Sequence, residues 1–251
     1  MLRSLNEIRG YRIHAEDGEI GKLDDFLFDD SAWTIRYFVV DTGGWLAKRL
    51  VLVSPESVRT PNWSEKLLPV SLTKERIENS PPIGEHEPVS RQHEMRLVNY
   101  YGWPRYWVPT PYPIGAGQPI YKPPGQVEEE KSEGDPHLRS GAEVRGYHIA
   151  AADGDIGHVD DFVADTTGWA IRYMLVDTRN WLPGRKVPIS PLWISGVNWS
   201  DKQVHVELSR EKIEASPEFD PDELLDRDYE TRLHRHYGRP VYWEVPKSKQ
   251  A

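Results

Sequence analysis

The chain contains no cysteine. This absence excludes disulfide bonds, thiolate nucleophiles and thiolate metal ligands. Long apolar runs are also missing: none approaches the ~20 residues that a helix needs to cross a bilayer. Residues 1–7 lack the apolar stretch, roughly 7 to 15 residues long, that a secretory signal requires. We therefore expect a protein without a membrane span, and the missing cysteines are typical of a cytoplasmic location.

An excess of basic residues is missing as well. The net charge is −9. Residues 1–107 carry 14 Lys and Arg against 16 Asp and Glu, and residues 144–243 carry 12 against 17. Because both regions are acidic, the composition disfavours duplex nucleic acid and anionic lipid as partners.

A long internal repeat dominates the sequence. Gly10-Tyr11 recurs as Gly146-Tyr147, and the offset of 136 residues holds without a gap. Of the 72 positions from 10 to 81, 36 are identical in the two copies. Chance does not produce such identity, so the copies must share a fold. Other matched segments are Asp24–Phe26 with Asp160–Phe162, Ile35–Tyr37 with Ile171–Tyr173, Asn62–Ser64 with Asn198–Ser200, and Tyr106-Trp107 with Tyr242-Trp243.

The repeat defines the predicted domains. Residues 1–107 form the first unit and residues 144–243 the second, each of about 100 residues, which is an ordinary domain size. Residues 108–143 are rich in proline and then in charge. Such a composition predicts an extended linker, although proline-rich segments also bind aromatic grooves. Residues 244–251 form a tail.

Each unit is predicted to be rich in β-strands. Asp17-Gly18 is a hairpin turn signal, and Gly21 inside the returning strand is typical of a bulge or bend. Ile35–Val40 and Leu50–Val53 are β-branched and aromatic runs of strand length. A further short strand is expected around residues 68–72. Five or six short strands with strong turns favour a small closed barrel.

Short helices are predicted after the strands. Thr73 and Ser209 are candidate N-caps. A longer helix is expected over Arg91–Tyr101, with Ser90 as its cap and Gly102 as its end. Its counterpart in the second unit is expected at about Leu224–Tyr237.

The strand segments, taken in order, resemble the PRC-barrel family. In the first unit these segments are Asp17–Phe26, Ile35–Leu46, Val53–Pro55, Leu72–Ile77 and Ser80-Pro81; in the second they are Asp153–Phe162, Ile171–Leu182, Ile189–Pro191 and Leu208–Ile213. The resemblance implies a mainly β fold: two tandem small PRC-like barrels, each with short C-terminal helices. We expect the two units to dock as a pseudo-twofold pair, so that repeat 1 is the partner of repeat 2.

The family also suggests functions. Its barrel occurs in the cytoplasmic part of the photosynthetic reaction-centre H subunit and as the C-terminal domain of a bacterial ribosome maturation factor. From the sequence we expect neither an H-subunit-like transmembrane helix nor the separate N-terminal domain of the maturation factor. In the second unit, Arg179-Asn180 replaces Gly43-Gly44, so this loop need not keep its shape.

Two groups of acidic residues suggest a chemical role. Asp41-Thr42-Gly43 follows an apolar strand, as in aspartic proteases, but the second copy is Asp177-Thr178-Arg179, where an arginine would disfavour proton sharing. We therefore interpret Asp41 as a turn cap. Asp24-Asp25 with Asp29-Asp30 could attract a hard cation, but a solvated hairpin edge is the better interpretation.

The histidines show no metal-binding spacing. His234 and His236 are two residues apart on a predicted helix and so do not share a face, and no His-Glu-x-x-His motif is present. The default for all nine histidines is a surface or partly buried position. No catalytic, cofactor or metal residue is predicted.

Tryptophans are the better candidates for a functional surface. Trp33 and Trp169 precede a core strand and are expected to be packed. Trp45-Leu46 and Trp181-Leu182 lie in the loop after that strand, where exposed apolar groups often mark contact sites. The alternative, which is equally compatible with the sequence, is that these four residues plug an end of the barrel.

These observations favour a non-catalytic interaction, scaffold or assembly module that binds another protein, for example at the cytoplasmic face of a membrane complex. An RNA- or ribosome-associated factor is the first alternative and would require a basic surface stripe. A hydrolase is the second alternative and would require a polar pocket with a perturbed carboxylate pair.

The charge balance makes the first alternative testable. We expect only weak, non-specific binding of RNA at physiological salt, because both units repel a polyanion. A gel-shift titration at two salt concentrations measures this binding. Tight binding that weakens steeply with salt would reveal a basic surface and contradict the expectation.

Overall fold

The computed structural model of the chain describes residues 1–44, 46, 49–81, 89–107, 137–178, 185–220 and 225–244. Within them the protein is mainly β, with one large mixed sheet and few helices. No described helix has the length and apolarity needed to cross a membrane.

Six strands and three helices occur in the part of the first unit that the structure describes. They are β1 (Leu2–Ser4), α1 (Leu5–Ile8), β2 (Arg12–Ala15), β3 (Gly18–Asp29), β4 (Thr34–Asp41), β5 (Leu50–Val53), β6 (Leu67–Pro69), α2 (Lys74–Glu78) and α3 (Arg91–Tyr101), with a short 3-10 helix at Pro55–Ser57. The α3 helix has the predicted bounds: the Ser90 side chain caps its first turn, and Gly102 ends it in the left-handed conformation.

The second unit repeats this order with one additional strand, β12. Its elements are β7 (Leu138–Ser140), α4 (Gly141–Val144), β8 (His148–Ala151), β9 (Gly154–Asp165), β10 (Ala170–Asp177), β11 (Lys186–Ile189), a 3-10 helix (Pro191–Trp193), β12 (Ile194–Asn198), β13 (Gln203–Val206), α5 (Arg210–Glu214) and α6 (Arg227–Tyr237). The α6 helix begins after Asp226, slightly later than expected, because that side chain caps it.

Gly21 is required where β3 passes the end of β4. Its φ is +150°, and an added Cβ would lie 2.0 Å from the carbonyl oxygen of Asp41. The pairing of β2 with β3 shifts register beside it. The predicted bend is therefore confirmed, and Gly157 repeats it against Asp177.

The strands pair in a single thirteen-stranded sheet. Its main path runs β12-β13-β8-β9-β10-β4-β3-β2-β6, while β1, β5, β7 and β11 pair at its sides. Most pairs are antiparallel, but β2–β6 and β8–β13 are parallel. The path does not close among the described residues, so the prediction of closed barrels is corrected to an open sheet shared by both units. In the described part of the chain, no ladder joins β5 to β6 in the first unit or β11 to β12 in the second. In addition, each unit pairs with the other at two places.

The first place is a reciprocal exchange of N-terminal strands. β2 pairs with β3 only between residues 12–15 and 18–22, which leaves that edge of β3 open from Leu27 to Asp29. β7 of the second unit fills this edge. In return, β1 of the first unit pairs with Val163–Asp165 of β9. Each exchanged strand therefore covers an edge that would otherwise be unpaired.

The exchange changes the expected linker boundary. Residues 138–143 were assigned to the linker, yet they form β7 and most of α4. Leu138-Arg139-Ser140 repeats Leu2-Arg3-Ser4 at the same offset of 136, so this identity marks the start of the second unit.

Aspartates fix the exchanged strands. The Ser4 hydroxyl donates to Asp161 Oδ2 at 2.5 Å, and the backbone N–H of Asn6 donates to Asp161 Oδ1 at 3.0 Å. Asp25 accepts the equivalent bonds from Ser140 and Ala142. These charge-assisted bonds tie each exchanged segment to the other unit. Asp25 was expected on a solvated hairpin edge, and this expectation is wrong because the partner unit covers it.

The second place lies at the two tryptophan turns. The N–H of Ile35 donates to the carbonyl of Trp169 at 2.9 Å, and the N–H of Ile171 donates to the carbonyl of Trp33 at 2.7 Å. Trp33 and Trp169 have φ of +49° and +55°, which is costly for bulky residues. Both pack against the core, as predicted. The Phe38 and Trp169 rings, 4.7 Å apart, extend this core across the junction.

The exchange predicts a large effect at Asp161. Replacing Asp161 with alanine leaves the Ser4 hydroxyl and the Asn6 N–H without their acceptor, so we expect a loss of about 1–3 kcal/mol in the free energy of unfolding. Urea denaturation measures this loss. Asp24→Asn is the control, because its exposed ion pair with Arg9 should contribute less than about 1 kcal/mol. Equal effects of the two substitutions would contradict the assignment.

Candidate functional site

Two clefts flank the junction between the units, and the repeat relates them. Cleft A, of about 310 Å³, is lined by residues from 34–37, 54–61, 98–106 and the turn 166–169. Cleft B, of about 610 Å³, is lined by residues from the turn 30–34, 170–172, 190–197 and Tyr242. Each cleft therefore has one wall from its own unit and one wall from the tryptophan turn of the other.

An arginine stacked on a tyrosine lies at the same place in both clefts. Arg36 packs over the Tyr106 ring at 3.9 Å, and Arg172 packs over the Tyr242 ring at 4.1 Å. Both arginines are also ion-paired with a carboxylate of their own unit, Asp29 or Asp165. In each cleft, the guanidinium group over the tyrosine ring forms a cation–π pair at the cleft wall.

A buried glutamate lies behind each arginine–tyrosine pair. In the first unit, the Tyr106 hydroxyl donates to Glu94 at 2.6 Å, and Arg91 lies 2.8 Å from the same carboxylate. Burial raises the pKa of Glu94, while the hydrogen bond from Tyr106 and the charge of Arg91 oppose the increase. Burial and the nearby Glu94 carboxylate raise the pKa of Tyr106, so this hydroxyl remains a donor.

The second unit differs by a histidine. Glu230 takes the place of Glu94, and the Tyr173 hydroxyl contacts it at 3.0 Å. His234 occupies the position of Val98 in the first unit and is only 1% exposed. The expectation of a surface or partly buried histidine is therefore wrong for His234. The spacing of Glu230 and His234, four residues apart on one helix face, is the sequence signal that identifies this pair.

The two clefts also differ in their apolar filling. In the first unit Trp103 lies in stacking contact with Tyr101, and its ring N–H donates to Ser57. In the second unit the position of Ser57 is taken by Trp193, which contacts Tyr237 and is fully buried. The large aromatic ring thus comes from the C-terminal segment in one unit and from the 3-10 helix in the other.

Cleft B is the more apolar of the two at its mouth. Leu192, which is 48% exposed, replaces Glu56 of cleft A. Ser195 and Val197 likewise replace Arg59 and Pro61. Among the described residues, Leu192 is one of three large apolar side chains that are exposed, with Met1 and Trp243.

The loop residues proposed from the sequence are only partly described. Trp45, Trp181 and Leu182 lie outside the described residues. Leu46 is half-buried and packs against the core. The two alternatives for these loops, contact with a partner and plugging of a barrel end, therefore both stay predictions.

The acidic residues proposed for other chemistry have local roles. Asp41 accepts a hydrogen bond from the N–H of Gly43 at 2.8 Å, which confirms its interpretation as a turn cap. Asp29 accepts bonds from Ser31 and Ala32 and pairs with Arg36. Among the described side chains, no group of three or more His, Asp and Glu is arranged to hold a metal ion.

Comparison with known proteins supports the family resemblance for the first unit. The family model described as the PRC-barrel domain matches residues 2–66. These residues span β1 to the turn before β6 and include the exchanged strand and the first tryptophan turn. No curated protein sequence matches the chain.

Trp193 should be essential for the packing of cleft B. Replacing Trp193 with alanine leaves a cavity between Tyr237 and His234, and we expect a loss of about 3–5 kcal/mol in unfolding free energy. The exposed neighbour Leu192, replaced by alanine, is the control and should change stability by less than about 0.5 kcal/mol. Thermal or urea denaturation measures both, and a small effect of Trp193→Ala would show that the ring does not fill the core.

Proposed function

We propose that the chain is a non-catalytic protein-interaction or assembly module of PRC-barrel type, in which both repeats are PRC-like units paired about an approximate twofold axis. The match to the PRC-barrel domain over residues 2–66 supports an interaction or assembly role. The 36 identities between the copies support extension of the same family to the second unit. The reciprocal bonds of Asp25 and Asp161 support the paired arrangement.

Cleft B is the proposed contact site for the partner protein. The observation that carries this assignment is Leu192, which is exposed at the mouth of a cleft of about 610 Å³. The neighbouring Arg172–Tyr242 stack offers an aromatic and cationic wall. A partner segment with an apolar side chain beside a carboxylate fits both features.

The cellular setting is part of the same proposal. The resemblance to the cytoplasmic region of the reaction-centre H subunit favours a cytoplasmic module at the face of a membrane complex. The Trp45-Leu46 and Trp181-Leu182 loops are a second candidate surface for such a partner. We propose neither a cofactor nor an enzymatic step.

The repeat supplies a matched test of cleft B. A photoreactive amino acid at position 195, beside Leu192, should crosslink one partner protein in native lysate. The substitution Leu192→Glu, which installs the residue of cleft A, should reduce that crosslink at least tenfold, because a charge would be buried in the contact. Glu56→Leu in cleft A is the control and should leave the crosslink at position 195 unchanged.

Mass spectrometry of the crosslinked species measures the yield for each variant. An unchanged crosslink in Leu192→Glu would contradict the assignment of cleft B. Equal loss in both variants would place the contact outside this cleft.

A further inference from the structure

Three buried side chains of the second unit form a hydrogen-bonded trio that the first unit lacks. The Tyr173 hydroxyl of β10 lies 3.0 Å from Glu230 Oε1 and 3.0 Å from His234 Nε2, both on α6. His234 Nδ1 lies 2.8 Å from the carbonyl oxygen of Pro240. All three side chains are at most 1% exposed, so bulk water does not reach them.

The number of hydrogens in the trio follows from its geometry. The carbonyl of Pro240 only accepts, so His234 Nδ1 must carry a hydrogen. The Tyr173 hydroxyl has one hydrogen and two neighbours. If Tyr173 donates to Glu230, then His234 Nε2 must carry a second hydrogen, and if Tyr173 donates to His234, then Glu230 must be protonated. In both cases, Glu230 and His234 together hold one more proton than an ionised carboxylate and a neutral imidazole would hold.

Burial decides where this proton lies. Burial raises the pKa of Glu230 and lowers the pKa of His234. Both shifts favour a neutral carboxylic acid that donates to Tyr173, which in turn donates to a neutral imidazole. This arrangement satisfies every contact of the trio without a buried net charge.

The charges of Arg227 and Arg172 and a hydrogen bond from Tyr242 oppose the neutral acid, and burial, which raises the pKa of Glu230, is the largest influence. Arg227 Nη1 lies 3.2 Å from Glu230 Oε2, but its side chain is 61% exposed and its charge is screened by water. Arg172 of β10 is already paired with Asp165 and stacked on Tyr242. Other groups that face the trio are the hydroxyl of Tyr242 from the C-terminal turn and the ring of Trp193 from the 3-10 helix.

The first unit shows the arrangement without a histidine. Val98 takes the place of His234. Glu94 accepts a hydrogen bond from the Tyr106 hydroxyl and forms an ion pair with Arg91 at 2.8 Å. An ionised Glu94 satisfies these contacts with no additional proton. The two units therefore provide a natural comparison within one chain.

We propose that Glu230, Tyr173 and His234 form a pH-sensitive latch that shares one proton and fastens α6 to β10 behind cleft B. When the proton is lost, a carboxylate and an imidazole lone pair compete for the single hydrogen of Tyr173. One of the two contacts then breaks, so α6 and the wall of cleft B loosen. This inference does not depend on the partner proposed for cleft B.

The sign of the pH dependence follows from proton linkage. In the unfolded chain Glu230 loses its proton at about pH 4.3, whereas the latch keeps it to a higher pH. The contribution of Glu230 to stability is thus complete below about pH 4.3 and is lost as the pH rises towards the folded pKa. Replacing Glu230 with glutamine removes this linkage but keeps the fold, because the amide N–H donates to Tyr173 as the protonated acid does.

The test compares urea unfolding of the full chain and of Glu230→Gln between pH 4 and 8.5. The stability of the original chain relative to the variant should fall as the pH rises above about 4.3, and this fall should continue above pH 5.5. For the matched variant Glu94→Gln, the difference in stability from the original chain should stop changing at a lower pH than it does for Glu230→Gln. If the stability difference between the original chain and Glu230→Gln does not change with pH above 5.5, the proposed latch is wrong.

A second measurement does not depend on any variant. Nitrogen-15 NMR of histidine-labelled full chain should show His234 neutral, with its hydrogen on Nδ1, and with no titration from pH 5.5 to 7. An imidazolium signal or an ordinary histidine titration in this range would also overturn the proposal.

Discussion

The reciprocal exchange of β1 and β7 is the constraint on which the rest of the structure depends. β2 and β8 are too short to cover the whole edge of their partner strands, and an open edge of a sheet invites pairing. Each unit fills the open edge of the other, and the bonds to Asp25 and Asp161 fix the register. Because the exchange brings the tryptophan turns together, it also creates both clefts, each with a wall from each unit.

The two units share several contacts and differ at particular positions. The exchanged strands, the Arg–Tyr stacks and the buried glutamates are shared by both copies. Leu192, Trp193 and His234 occur only in the second copy. These residues give cleft B an apolar mouth and place a buried histidine behind its wall. The first unit has the exchanged strand, the Arg–Tyr stack and the buried glutamate, but it has no counterpart of Leu192, Trp193 or His234.

Local sequence patterns predicted the elements well and the pairing between them poorly. The α3 bounds and the Gly21 bend follow from caps and backbone sterics, which act over a few residues. The open, shared sheet depends on which distant strand fills an edge, and this choice is not encoded in strand periodicity. The identity of Leu2-Arg3-Ser4 with Leu138-Arg139-Ser140 was the available signal for the exchange. The covering of Asp25 by the other unit and the burial of His234 follow from tertiary contacts, although the spacing of Glu230 and His234 places them on one helix face.

The most direct test of the exchange uses the absence of cysteine from the chain. Arg3 lies directly opposite Ala164 in the β1–β9 pair, and the unexchanged alternative would place it opposite Phe28, the counterpart of Ala164. Paired positions on antiparallel strands are within disulfide range. Under mild oxidation, a monomeric R3C/A164C chain should form an intrachain disulfide, seen by peptide mass spectrometry, and an R3C/F28C chain should not. A disulfide in R3C/F28C and none in R3C/A164C would contradict the exchange and the shared sheet.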